Sequence, residues 1–110
     1  MKQGDIWDID LNPTEGSEQH GVRPCVILSG NTMNDNFNLV IVCPLTSKVK
    51  NYMGNVVLTP SAENGLTQQS EILVFHIRTV AKKRAVKHRG NINADQLTQI
   101  KSNLIDIITF

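Results

Sequence analysis

The apolar residues of this chain arrive in five short runs, and their period changes only once. The runs are DIWDIDL (5–11), CVIL (25–28), LVIVCPL (39–45), NVVLTP (55–60) and EILVFHIRTV (71–80). They are rich in β-branched and aromatic side chains, which suit a pleated, half-buried surface. Polar, turn-forming stretches separate them: Asn12-Pro13-Thr14 and the loop to Val22, SGNTMNDNFN, KVKNYMG and SAENGLTQQS. DIWDIDL alternates imperfectly, with Ile6, Ile9 and Leu11 set among acids. CVIL is apolar on every side, the pattern of a strand buried on both faces. From residue 93 the spacing becomes helical: Leu97, Ile100, Leu104 and Ile107/Ile108 recur at three- and four-residue intervals. Asn93 is positioned to cap that helix, with Gln96 as its capping-box partner.

Five strands followed by one helix predict a mainly β domain. The expected architecture is a small, twisted antiparallel barrel, since closing a sheet removes its exposed edges. The apolar helix face is expected to close its open end. At 110 residues the chain suffices for one core, so a single domain over 1–110 is expected.

No apolar run approaches the roughly 20 residues that span a bilayer, and MKQGDIWDID lacks the apolar centre of a signal peptide. The expectation is a cytoplasmic protein with no membrane partner. Cys25 and Cys43 sit in strand-like runs and are expected as buried thiols rather than a disulfide. The net charge of +1 conceals a segregation. Five of the ten acids fall in 5–18, and five of the eleven Lys/Arg fall in 82–89. That basic block is either a solvated turn or a surface for an anion.

Several chemistries lack their residues. No GxSxG elbow is present. His20, His76 and His88 lack metal-site spacing, so no metal or cofactor is expected. What remains is a polar set at strand ends and loops: Glu18, Gln19, His20, Arg23, Thr46, Ser47, His76 and Arg78. If the second and third strands pair, Arg23 and Thr46 approach each other. A guanidinium fork beside a hydroxyl suits a phosphoryl group. The same residues also fit a plainer account, with Arg23 paired to Glu18 and Thr46 in a turn.

GDIWDIDLNPTEGSEQHGVRPCVILS resembles the first third of the MazF/PemK toxin endoribonucleases, the mRNA interferases. Gly4, Asp5, Pro13, Gly16, Ser17, Glu18, Gln19, Gly21, Arg23 and Pro24 match the family pattern. VCPLTS, NYMGNVVL and HIRTVAKKR are similar to its later blocks. The resemblance implies an SH3-like barrel with a C-terminal helix, the plasmid-maintenance toxin fold shared by CcdB, Kid and MazF, assembled as a homodimer. It implies a toxin of a toxin–antitoxin system that blocks translation by cutting single-stranded RNA at short motifs without a metal. Attack by the 2′-hydroxyl would leave a 2′,3′-cyclic phosphate and a 5′-hydroxyl, and a cognate antitoxin would inhibit the enzyme.

By motif position, the catalytic arginine and threonine fall on Arg23 and Thr46. A guanidinium gives up its proton poorly, so stabilisation of phosphorane charge is the expected role for Arg23. Ser17, Glu18, Gln19, Ser47, His76 and Arg78 are the expected substrate contacts, with Gly16 and Gly21 letting the loop move. Two departures stand out. Phe75-His76 occupies positions where the family often has an acid and Gln, and an Arg-x-Asp scheme would fall on Leu73 and Phe75. Histidine titrates nearest neutrality, so His76 is a candidate for proton transfer, base stacking or packing. The rival function is that of CcdB-like toxins, which bind DNA gyrase and cut nothing. Those end in Trp-Gly-Ile, whereas this chain ends Ile-Thr-Phe. A peptide-binding SH3-like module would need clustered aromatics, and here the five are scattered in sequence.

Overall fold

Three strands form the centre of the sheet in the computed structural model, which describes residues 1–19, 21–52 and 54–110. They are β1 (Asp5–Asp10), β2 (Val22–Ile27) and β3 (Leu39–Thr46). β2 pairs antiparallel with β1 through Trp7–Cys25 and with β3 through Val26–Cys43. Their side chains serve two cores. Ile6, Val26, Leu28, Cys43 and Leu45 join one cluster, while Ile9, Cys25, Ile27, Val40 and Val42 join the other. Burial on both faces explains why CVIL shows no polar alternation.

Short strands extend the sheet. β4 (Val56–Leu58) pairs with β5 (Ser70–Ile72), and β5 pairs with the end of β3. β6 (Arg78–Ala81) pairs with the start of β3, and β7 (Ala85–Asn91) pairs with β1. The path runs β4-β5-β3-β2-β1-β7, with β6 beside β3. The expected barrel is therefore a half-barrel: among the described residues the sheet curls without closing, and β4 and β7 are its ends. β7 manages its edge otherwise, through exposed Lys87 and His88 and two register shifts against β1.

Three elements differ from the sequence expectation. EILVFHIRTV is not one strand. Between the pairs Leu45–Ile72 and Val42–Arg78, five residues pass only two of β3. The surplus is taken up by a 3₁₀ turn at Val74–His76, which throws Phe75 outward. β7 has no apolar alternation to mark it, because none of its residues is fully buried and its half-buried positions follow no period of two. The turn-rich SGNTMNDNFN contains a short helix, α1 (Asn31–Asn36). Its buried Asn34 side chain donates to the Ser29 carbonyl at 2.8 Å and accepts from the Ser29 hydroxyl at 2.5 Å.

The C-terminal helix α2 (Ala94–Thr109) starts with the expected capping box. The Gln96 amide donates to Asn93 Oδ1 at 2.8 Å, and the Asn93 amide donates to Gln96 Oε1 at 2.9 Å. Leu97, Ile100 and Leu104 pack on the first core cluster. The face extends less far than its periodicity suggests, since Ile107 and Ile108 are exposed. No helix among the described residues is long and apolar enough to cross a membrane.

Candidate functional site

Thr46 ends β3 and is buried, 8% exposed. Its hydroxyl oxygen accepts the Lys48 amide hydrogen at 3.1 Å. That bond uses a lone pair and leaves the hydroxyl its own proton to donate. The residue lines a hollow of about 340 Å³ together with Ser17, Gln19, Lys48, Lys50, Tyr52 and His76. A second hollow shares Ser17, Gln19, Phe75 and His76, and adds Glu18, Arg78 and Pro44. Six of the expected contacts and catalytic groups thus gather around one end of β3.

The loop that supplies Ser17, Glu18 and Gln19 is tied at its neck. The Leu11 amide donates to the Gly21 carbonyl at 2.9 Å, and the Gly21 amide donates to Asn12 Oδ1 at 3.1 Å. Gly21 has φ +74°, a conformation that costs other L-residues energy. Its glycine is thus required by the turn itself. Arg78 reinforces the neck, its Nη1 donating to the Leu11 carbonyl at 3.1 Å. Glu18 accepts the Glu15 amide hydrogen at 2.9 Å. His20 lies outside the described residues.

Arg23 and Ser47 are placed differently. β2 and β3 pair as expected, but their ladder ends at Cys25–Pro44, two residues short of Arg23 and Thr46. Beyond it a separate hollow is lined by Arg23 and Pro24 from β2 and by Leu45 and Ser47 from the other wall. Asp8 and Arg89 also line it, joined at 3.2 Å. Arg23 and Thr46 therefore stand at corresponding strand ends and line different hollows.

Glu71 was not singled out in the sequence. It is fully buried, covered by the loop after β3. Its Oε1 accepts from the amides of Lys50 and Asn51, both at 2.8 Å. Its Oε2 accepts from the Tyr52 amide at 3.1 Å and from Asn55 Nδ2 at 2.8 Å. Burial works to raise this carboxyl. The Asn55 side chain and the three amides outweigh it and hold the pKa below the ordinary value. The legible signal was an acid inside an apolar strand, which needs partners if it is buried.

Cys25 and Cys43 are free, buried thiols, and burial pushes both up to about 12. They are inert as nucleophiles at neutral pH. Much of the basic block serves the fold. Lys82 donates to the Asn34 carbonyl, Arg84 to the Asn12 carbonyl, and Arg89 to Asp8. Lys83 and Lys87 are exposed.

The profile of PemK-like, MazF-like toxins of type II toxin–antitoxin systems matches residues 2–108. An endoribonuclease MazF of Staphylococcus saprophyticus is 35% identical over 108 residues, covering 97% of this chain and 89% of that protein. The crystal structure of a MazF from Deinococcus radiodurans superposes with a TM-score of 0.83 at 26% identity, covering 99% of this chain and 96% of the other. A MazE–MazF complex from the same organism contains a chain that superposes at 0.79 with 27% identity, covering 98% and 95%.

Proposed function

The chain belongs to the PemK-like, MazF-like toxins of type II toxin–antitoxin systems, and from that premise we propose a sequence-specific endoribonuclease that cuts single-stranded RNA without a metal ion. The observation that carries the reading is the buried Thr46 hydroxyl. It accepts from the Lys48 amide and keeps a proton for an incoming oxyanion, at the strand end that corresponds to Arg23 beyond the last pair of β2 and β3. Arg23 and Ser47 line one hollow at these strand ends, and Thr46, Gln19 and His76 line another; the bound RNA is assigned to both.

The nucleophile is carried by the substrate. The ribose 2′-oxygen bonds to the adjacent phosphorus and loses its proton. The bond from phosphorus to the 5′-oxygen breaks, and that oxygen takes up a proton. The products are a 2′,3′-cyclic phosphate and a 5′-hydroxyl, with no water consumed. Arg23 is assigned to neutralise charge on the phosphorane oxygens and Thr46 to donate to one of them, which requires the bound strand to bring one phosphate within reach of both side chains from the separate hollows they line. Ser17, Glu18 and Gln19 read base edges from the loop, with Ser47 and Arg78 beside the strand path. A cognate antitoxin occupies the same face and blocks it, and the working unit is a homodimer.

The test is incubation of the protein with a long unstructured RNA in EDTA, with the ends mapped. Discrete cuts bearing 5′-hydroxyl ends are expected. A folded protein that leaves RNA intact overturns the reading and favours a gyrase poison, to be checked in a supercoiling assay.

His76 lines both hollows beside Thr46, and we assign it a substrate contact. His76→Ala is expected to raise KM roughly tenfold, the effect of losing one good hydrogen bond. Rates matching wild type at every pH would remove His76 from the site.

A further inference from the structure

Two of the five aromatic residues meet in the open. Tyr52 and Phe75 lie 23 residues apart in sequence, yet their ring centroids are 5.4 Å apart at 87°. Phe75 also meets the His76 imidazole edge-on at 4.7 Å and 69°. Tyr52 is 45% exposed and Phe75 46%, although burying such rings would be favourable. All three line the hollow that contains Thr46, Lys48 and Lys50.

Both rings stand on backbone that is held. Phe75 is in the 3₁₀ turn, where the His76 amide donates to the Leu73 carbonyl at 3.0 Å and the Ile77 amide to the Val74 carbonyl at 3.1 Å. Tyr52 is held through its own amide on Glu71. That carboxylate also takes the amides of Lys50 and Asn51 and the side chain of Asn55, so it governs the loop on both sides of Tyr52. Exposed, pre-positioned aromatic surface suits a ligand with a flat face. The hydroxyl and lysines alongside suit an anion attached to it. A nucleotide of a single strand has both parts, and base–aromatic stacking is a main source of affinity for unstacked RNA.

We propose that Tyr52 and Phe75, edged by His76, form a stacking subsite for one unstacked base next to Thr46, with Glu71 as the positioning residue that sets Tyr52 in place. The proposal rests on the ribonuclease reading. It names where one base of that substrate sits.

The experiment uses a short RNA spanning the cut site mapped with wild type, and copies in which each flanking nucleotide in turn is abasic. Tyr52→Ala and Phe75→Leu should each raise KM roughly 10- to 100-fold, with kcat within about threefold and an unchanged melting temperature. Wild type should lose a similar factor at one abasic position, and the variants should lose nothing further there. Glu71→Gln, assayed where it remains folded, should raise KM and blunt the same abasic sensitivity, which mere destabilisation would not do. Wild-type KM in the aromatic variants, or undiminished abasic sensitivity, overturns the subsite. If wild type cuts no RNA, the ribonuclease reading fails separately. The subsite is then judged by fluorescence anisotropy with labelled 2′-O-methyl oligoadenylate. Binding lost in Tyr52→Ala upholds it, and equal or absent binding rejects it.

Discussion

Arg23→Ala should cut RNA roughly 10²–10³-fold more slowly than wild type, in kcat more than in KM, while keeping its fold. The size follows from losing one pre-organised donor to the charge that develops in the transition state. Arg23 is half-buried at the start of β2, and the core contacts of that strand begin at Cys25, so truncation leaves the packing in place. Steady-state rates, with circular dichroism as the control for folding, decide the matter. Arg23→Lys should recover only part of the rate, because an ammonium keeps the charge but loses the planar fork. Cutting that survives Arg23→Ala would keep the nuclease and move its centre elsewhere, to Thr46 and the residues around it.

The largest effect on stability is expected at Glu71. Removing the carboxylate in Glu71→Ala strands four donors: the amides of Lys50, Asn51 and Tyr52 and the Asn55 side chain. Water reaches some of them once the loop loosens, so the loss is about 3 kcal/mol rather than the full sum, or a melting temperature lower by about 13 °C. Glu71→Gln is the finer probe. Each carboxylate oxygen accepts two hydrogens, and an amide turns one of those oxygens into a donor facing donors. Protonating Glu71 creates the same conflict. The folded carboxyl titrates below its ordinary 4.5. Its contribution is therefore present above the unfolded value and is lost as pH falls through the folded one. The stability gap between wild type and Glu71→Gln should be widest near neutrality, begin to narrow below about pH 4.5 and close further into acid. Urea titrations across pH 3–7 measure it. A gap that does not depend on pH would mean that Glu71 is not held as a carboxylate.

Legibility followed the range of the interactions involved. The Asn93–Gln96 capping box, the double burial of CVIL and the presence of strands β1–β3 depend on short-range periodicity or on what a single segment must bury. They were readable from the chain itself, though the start of β2 at Val22 was not. β7 was not, because its places are set by pairing with β1 rather than by its own pattern. The break at Val74–His76 was hidden for a related reason. Those residues suit a strand, and only the mismatch against β3 forces them into a turn. That turn carries Phe75 out to Tyr52, so aromatics scattered in sequence become neighbours.

The candidate site divides in the same way. Ser17, Glu18, Gln19, Arg23 and Thr46 are legible because they lie in motifs where loop and strand ends follow one another along the chain. Glu71 looked like one polar position in an apolar strand until the loop after β3 closed over it. The first three strands, the capped helix and the motif residues of the candidate site were legible in the sequence alone, since each follows from local periodicity and residue type. The tertiary structure alone decided that the sheet stays a half-barrel, that Arg23 and Thr46 line separate hollows, that Tyr52 meets Phe75, and that Glu71 takes the Tyr52 amide. Each of those outcomes depends on long-range register and loop packing, which bring together residues whose separation in the chain carries no signal.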